Sequence, residues 1–314
     1  MSDKAHTLSR RTMLAALAAT SAGVVMPAAS VEASTMQPDL AALLETLQPS
    51  DGVIAAERVR AANMPISDLM KRLIPWAKSY ADPSISQFHV GAIVEGVSGA
   101  LYAGMNLEFP GQTLAFSVHG EGAATTNAWL HGETGIVSLA VGGEPCGYCR
   151  QFLSEFVAPE RLRIWMPDGG SVSLAEALPR AFLPAVLGVR VDPFHARQAL
   201  KLAEATPEPL VQAALAAANL SHAPYSHTFA GVALRLKDGT IVTGRHAENV
   251  AYNPGMPPLQ AALVALRLSG YAYGDITAAV LAQADGRASQ RTATEAVLAT
   301  ISQTPLTYAR LEAA

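Results

Sequence analysis

The stretch "SQFHVGAIVEGVSGALYAGMNLE" at 86–108 can be written over "SHTFAGVALRLKDGTIVTGRHAE" at 226–248 with a constant offset of 140 residues. Five identities fall in register: Ser86 with Ser226, Gly91 with Gly231, Gly99 with Gly239, Gly104 with Gly244 and Glu108 with Glu248. The apolar alternation keeps step through Ala92/Val232, Val94/Leu234 and Leu101/Ile241. Alternation on both sides of a Gly-containing turn reads as a strand hairpin. Its recurrence reads as a duplicated domain.

Outward from the first hairpin, a helix is expected over 119–131, then a strand at "IVSLAVGG", a helix opening at Cys146, a strand at "LRIWMP" and a helix at "SLAEALPRAF". Strands alternating with helices imply a layered α/β sheet. Upstream, Leu40, Leu43, Leu44 and Leu47, then Ile66, Leu69, Met70 and Leu73, carry helical spacing broken by "QPSDG". The chain is thus read as a leader over 1–33, a helical cap over 34–80, an α/β domain over 81–185, a linker over 186–205 and a second α/β domain over 206–314. Its 314 residues suffice for two cores.

Lys and Arg number 22 against 26 Asp and Glu, a formal net charge of −4. No basic stripe suited to DNA or RNA is present, which argues against a nucleic-acid partner. The leader has Arg10 and Arg11 ahead of an Ala-rich apolar stretch from Met13 to Ala29, with Val31 and Ala33 meeting the small-residue rule for a cut after Ala33. This resembles a twin-arginine export signal and implies a periplasmic location; a cytoplasmic leader is the alternative. The stretch is too rich in Ala and Gly for a membrane span, so no stable membrane association is expected after processing.

The only two cysteines, Cys146 and Cys149, stand in "EPCGYCRQF". Alone, such a pair is as readily a redox couple as a metal site. His119, 27 residues upstream in "SVHGEGAATTNAW", opens the other expected helix and changes the balance. One imidazole and two thiolates leave the fourth position of a tetrahedral Zn2+ site for water. A helix N-terminus favours ionised thiols. Glu121, two residues after His119, is free to face a substrate as a proton carrier. The pattern is that of a zinc deaminase acting on a nucleobase. His246 and Glu248 repeat the spacing, but a loop follows them and no cysteine stands after 149, so they read as structural.

On "VHGE", "PCGYCRQF", "FHVGAIVEGVSG", "GMNLEF", "SHAPYS", "GVAL", "AENVAYNP" and "PPLQAAL", the chain resembles the two-domain, dimer-forming cytidine deaminases from about 37 to 302. The resemblance implies a duplicated three-layer αβα fold, with an active first copy and a second copy without zinc. It implies zinc on His119, Cys146 and Cys149, proton transfer by Glu121, ribose contacts from Asn106 and Glu108, packing of Phe88 on the pyrimidine and base contacts from the backbones of Gly120 and Glu144. It further implies a homodimer in which Ala251 and Tyr252 reach the partner subunit's site, and a role in pyrimidine salvage. Leu259 or Gln260 is expected where the second copy would hold its histidine, with Ala261 or Ala262 two positions on. Gly120, Glu144 and Tyr148 depart from the family pattern, which has alanine, a small hydroxyl residue and histidine there. A zinc deaminase of another base or nucleoside, and a catalytically impaired nucleoside-binding homologue, remain as alternatives.

Overall fold

The computed structural model describes residues 38–314, so the leader reading at 1–33 lies outside the described residues. Among those described, no helix is long and apolar enough to cross a membrane. The chain begins with α1 (Pro38–Leu47), β1 (Val53–Ile54), α2 (Ala56–Ala61) and α3 (Ile66–Lys78). The stripe Leu69, Met70 and Leu73 is buried on α3 as its spacing required. The region read as a helical cap also adds β1 to the first sheet, antiparallel to β3.

The first sheet contains β2 (Gly91–Gly96), β3 (Leu101–Met105), β4 (Ile136–Val141), β5 (Arg163–Trp165) and β6 (Ser171–Ser173), in the order β1-β3-β2-β4-β5-β6. Its helices are α4 (Gly120–Leu130), α5 (Gly147–Phe156) and α6 (Leu174–Ala177). The expected helix at 173–182 shrinks to α6 because Pro179 disfavours helical backbone at Leu178, which sits at φ −131° and ψ 71°.

The second sheet has the order β7-β11-β10-β8-β9. Its strands are β7 (Leu200–Leu202), β8 (Ala230–Leu236), β9 (Ile241–Arg245), β10 (Ile276–Ala284) and β11 (Leu306–Ala313). The helices are α7 (Pro209–Asn219), α8 (Pro258–Leu268) and α9 (Arg291–Ile301). The expected linker at 186–205 is therefore not all connection, since β7 lies in it and pairs with β11.

Pairing repeats along with sequence. Ala92 faces Gly104 across β2 and β3, and Val232 faces Gly244 across β8 and β9. In each sheet the hairpin's first strand runs antiparallel to the next strand inward, which in turn runs parallel to a fourth.

Two glycine pairs establish the layers. A Cβ on Gly91 would stand 2.6 Å from the Ile74 carbonyl oxygen and the Lys78 nitrogen of α3. On Gly104 it would stand 2.0 Å from the Ala124 nitrogen and 2.5 Å from the Gly120 oxygen of α4. Gly120 in turn packs toward the Cβ of Ala92, so successive residues 91 and 92 face opposite helices. The sheet is sandwiched between α3 and α4. Gly231 meets α7 at Ala214 and Ala218, and Gly244 meets α8 at Pro258 and Ala262, giving the same three layers.

The seating also corrects the register of the second helix. Gly120 and Ala124 correspond to Pro258 and Ala262, an offset of 138, because the loop after the hairpin is two residues shorter. The counterpart of His119 is Pro257, not Leu259 or Gln260, and that of Glu121 is Leu259. Both Pro257 and His119 are the residues immediately before their helices.

If these contacts set the layer spacing, Gly104→Ala is expected to destabilise the protein by about 1–3 kcal/mol through overpacking. Gly274→Ala, where a Cβ meets nothing within 4 Å, is expected to stay within about 0.5 kcal/mol. Denaturant titration of both variants checks this.

Candidate active site

Two helix starts converge beside the first sheet. His119 precedes α4 with extended backbone, and Cys146 precedes α5 in the same manner, with Cys149 in the first turn. His119 Nδ1 lies 3.4 Å from Cys149 Sγ and 3.5 Å from Cys146 Sγ. Among the described residues these three form the one cluster of His, Cys, Asp and Glu ligand atoms suited to a metal, all within 4.8 Å of one another. Tetrahedral bonds of about 2.0 Å to nitrogen and about 2.3 Å to sulfur would hold N and S about 3.5 Å apart. The donor set and its spacing therefore fit zinc.

Without metal, the two thiols share one proton. A hydrogen bond from Cys149 outweighs burial and brings Cys146 down to about 4, with His119 contributing. The same bond, then burial, pushes Cys149 upward. Binding of a dication would expel that remaining proton.

Glu121 is buried in the first turn of α4, and burial raises its carboxyl above the usual range despite hydrogen bonding with Cys149. A carboxyl raised in this way is suited to taking and returning protons. It borders a cleft of ≈ 490 Å³ together with His119, Cys146, Asn106, Glu108, Phe88, Gly120 and Glu144. That volume suits a small organic ligand. Cys149 is buried, while Cys146 is exposed to the cleft side.

At the far end Glu108 has four donors. Its Oε2 accepts from the backbone N–H of Ile85 at 2.8 Å and of Ser86 at 2.7 Å. Its Oε1 accepts from Ser86 Oγ at 2.6 Å and from Asn106 Nδ2 at 3.3 Å. Burial pulls this carboxyl upward, but these bonds together hold it below its ordinary value. Asn106 is itself fixed, accepting from Val90 N–H at 2.9 Å and donating to the Phe88 carbonyl at 2.9 Å. Phe88 is 70% exposed, an uncovered aromatic face at the cleft.

The three departures have local accounts of different strength. A Cβ on Gly120 would come to 3.0 Å from Val90 Cγ1, so glycine relieves a tight contact. Tyr148 donates toward the carbonyls of Asn253 at 3.1 Å and Gly255 at 3.3 Å, and burial, followed by the neighbouring sulfurs of Cys149 and Cys146, pushes its hydroxyl up to about 12. Glu144 reaches only a loose 3.7 Å pairing with Arg150, and nothing in the structure explains its preference over a small hydroxyl residue.

Ala251 and Tyr252 do not border this cleft; they lie in the loop between β9 and α8, where Tyr252 is 73% exposed. Lys78, in the last turn of α3, and His89 border the cleft without having been singled out in sequence. Helical spacing marked α3, but nothing in it marked Lys78 as bordering the cleft.

The second copy repeats the far end and closes it. Glu248 accepts from the backbone of Tyr225 and Ser226 and from the Ser226 hydroxyl, as Glu108 does from Ile85 and Ser86. His246 stands at the place of Asn106, buried, with Nδ1 3.2 Å from the Thr228 carbonyl and Nε2 3.2 Å from Gln290. Thr228 also bonds to Ala288 in both directions, so the segment after β10 covers the place where the first copy is open.

Fold and site together define a zinc-type deaminase centre in the first of two like domains. The family model described as "Cytidine and deoxycytidylate deaminase zinc-binding region" matches residues 65–164, and a second of the same description matches 174–295. A cytidine deaminase of Vibrio cholerae serotype O1 is 40% identical over 267 residues, covering 83% of this chain and 90% of that one. One of Cronobacter sakazakii is 41% identical over 282 residues, covering 87% and 94%. One of Histophilus somni is 44% identical over 246 residues, covering 78% and 81%. The chain belongs to the cytidine deaminase family.

In metal-stripped protein, iodoacetamide is expected to modify Cys146 before Cys149, at a rate nearly constant between about pH 6 and pH 8 because Cys146 is already ionised there. Peptide mapping reads the order. Added zinc should protect both residues.

Proposed function

We propose that this protein hydrolyses the 4-amino group of cytidine and deoxycytidine, giving uridine or deoxyuridine and ammonia. The observation that carries the reading is the meeting of His119, Cys146 and Cys149 at metal-ligand spacing with the buried carboxyl of Glu121 in the same cleft. Family membership supports the same substrate class.

His119, Cys146 and Cys149 would hold zinc, which when bound supplies the Lewis acidity that makes water nucleophilic at neutral pH. Glu121 accepts the proton of the attacking water and delivers it to N3 of the cytosine ring. The same carboxylate then takes the proton of the hydroxyl added at C4 and passes it to the 4-amino group, so that the C4–N bond breaks and ammonia leaves as the carbonyl forms. Phe88 packs on the ring, and the backbones of Gly120 and Glu144 border the base. Asn106 and Glu108 select a sugar over a free base, a ribose hydroxyl taking the place of the long Asn106 bond to Glu108 Oε1.

The reading extends to a homodimer in which the exposed Ala251 and Tyr252 of one subunit approach the site of the other. It places the reaction in pyrimidine salvage. It also takes the paired Arg10 and Arg11 as a twin-arginine signal, a route that would let zinc load before the thiols meet an oxidising space. Light scattering tests the homodimer, and the N-terminal sequence of protein from its native host tests the signal.

Purified protein is expected to contain one zinc per chain and to release ammonia from cytidine and deoxycytidine but not from guanine or single-stranded DNA. Glu121→Gln should keep the metal and lose about 10²- to 10⁴-fold in turnover. Cys149→Ala should lose metal and activity together. Full activity in zinc-loaded Glu121→Gln would overturn the assignment.

A further inference from the structure

The face of α5 turned toward the second domain is more specifically built than a domain contact requires. Tyr148, Gln151 and Glu155 are spaced i, i+3 and i+7, which places them along one side of the helix. All three grip the loop between β9 and α8. The Tyr148 hydroxyl donates to the Asn253 and Gly255 carbonyls. The fully buried Asn249 bonds Gln151 twice, its Nδ2 donating to the Gln151 carbonyl at 2.9 Å and its Oδ1 accepting from Gln151 Nε2 at 3.3 Å. Glu155 Oε2 accepts the Val250 N–H at 2.8 Å. Its Oε1 accepts from the Tyr225 hydroxyl at 2.7 Å and pairs with His222 Nε2 at 2.9 Å.

This grip runs one way. The second copy's corresponding helix, α9, makes no hydrogen bond to the loop at 109–117 among the described residues; Arg291 bonds Glu295 and Thr300 bonds Val297 within the helix. The fastened helix is the one that carries Cys149 and begins beside Cys146. Tyr148 links the two functions directly, since its ring also lies 5.6 Å from that of His119.

We propose that the second copy, which has no ligand set of its own, seats the metal helix of the first: its loop at 249–255 fixes α5 through Tyr148, Gln151 and Glu155, and so holds the two sulfurs at their distance from His119. The inference rests on the zinc reading given above. Tyr148 and Glu155 are positioning residues; neither needs to touch the substrate. Groups that orient ligands in this way influence metal retention out of proportion to their effect on folding.

The test compares zinc-loaded wild type, Tyr148→Phe, Glu155→Gln and Glu155→Asp by the rate of zinc transfer to a chelator and by thermal unfolding of the metal-free forms. Tyr148→Phe keeps the ring and removes only the donor, so it is expected to release zinc about ten-fold faster with the metal-free unfolding midpoint unchanged. Glu155→Gln would turn an amide toward three donors and should release zinc faster still, with Glu155→Asp restoring part of the loss. Release at the wild-type rate from Tyr148→Phe overturns the proposal, as does faster release matched by an equal fall in metal-free stability. Should Glu155→Gln fail to fold, Tyr148→Phe alone decides. A wild type without zinc overturns the functional reading and this inference together, whereas a zinc-bearing, cytidine-deaminating wild type with unaltered Tyr148→Phe overturns only the latter.

Discussion

Nothing larger than hydrogen fits on residue 104, because the backbone of α4 occupies the space where a side chain would begin. That contact fixes where α4 starts relative to β3, and every reactive group of the first α4 turn inherits its place from it. His119 stands just before the helix and Glu121 just inside it, so both are carried to the cleft by backbone seating rather than by their own side-chain bonds. The helix can afford no slack. It is buried from Gly120 to Trp129, and Asn127 anchors its middle by donating to the carbonyls of Gly52 and Ala103, both at 3.1 Å.

The parts of this arrangement legible in sequence are those where a residue type has only one physical use. Gly91, Gly104 and their partners recur because helices lie against them, and Cys146 and Cys149 are recognisable because few chains place thiols and imidazole in that order. Where identity carried no such constraint, reading failed. Pro257 has nothing to mark it as the counterpart of His119, and a loop shortened by two residues moved the expected position to 259 or 260. The strands β1 and β7, with two and three residues, are too short to show alternation. Glu155 gathers partners 67, 70 and 95 residues away, a contact no local pattern could encode.

The cleft also sorts its carboxylates by environment. Glu121 is buried and held above the ordinary range, while Glu108 is surrounded by donors and held below it. Two acids of the same chemistry are thus suited to opposite tasks, one to exchange protons and the other to remain a fixed anion. The difference comes from burial, which dominates at Glu121, and from the four donors that outweigh it at Glu108. Glu108 follows β3 and meets the backbone amides of Ile85 and Ser86 in the segment before β2, while Glu121 is enclosed in the first turn of α4.

Retention of Glu248 shows what part of Glu108's role is independent of ligand. In the second copy Pro257 has replaced the metal histidine and the segment after β10 covers the far end, yet the carboxylate still accepts from Tyr225, Ser226 and the Ser226 hydroxyl. A bond set that persists in a closed site is holding the loop before the hairpin. In the first copy the same set occupies three of the roughly four acceptor positions of a carboxylate, and Asn106 takes the last at 3.3 Å. On the ribose reading proposed above, a sugar hydroxyl is therefore received without loosening the loop by displacing Asn106. Substitution of that position by His246 in the second copy, bonded instead to the Thr228 carbonyl and Gln290, removes the one exchangeable partner. On the reading proposed above, what keeps Glu248 from a ligand is therefore the covering segment after β10, not a lack of acceptor positions.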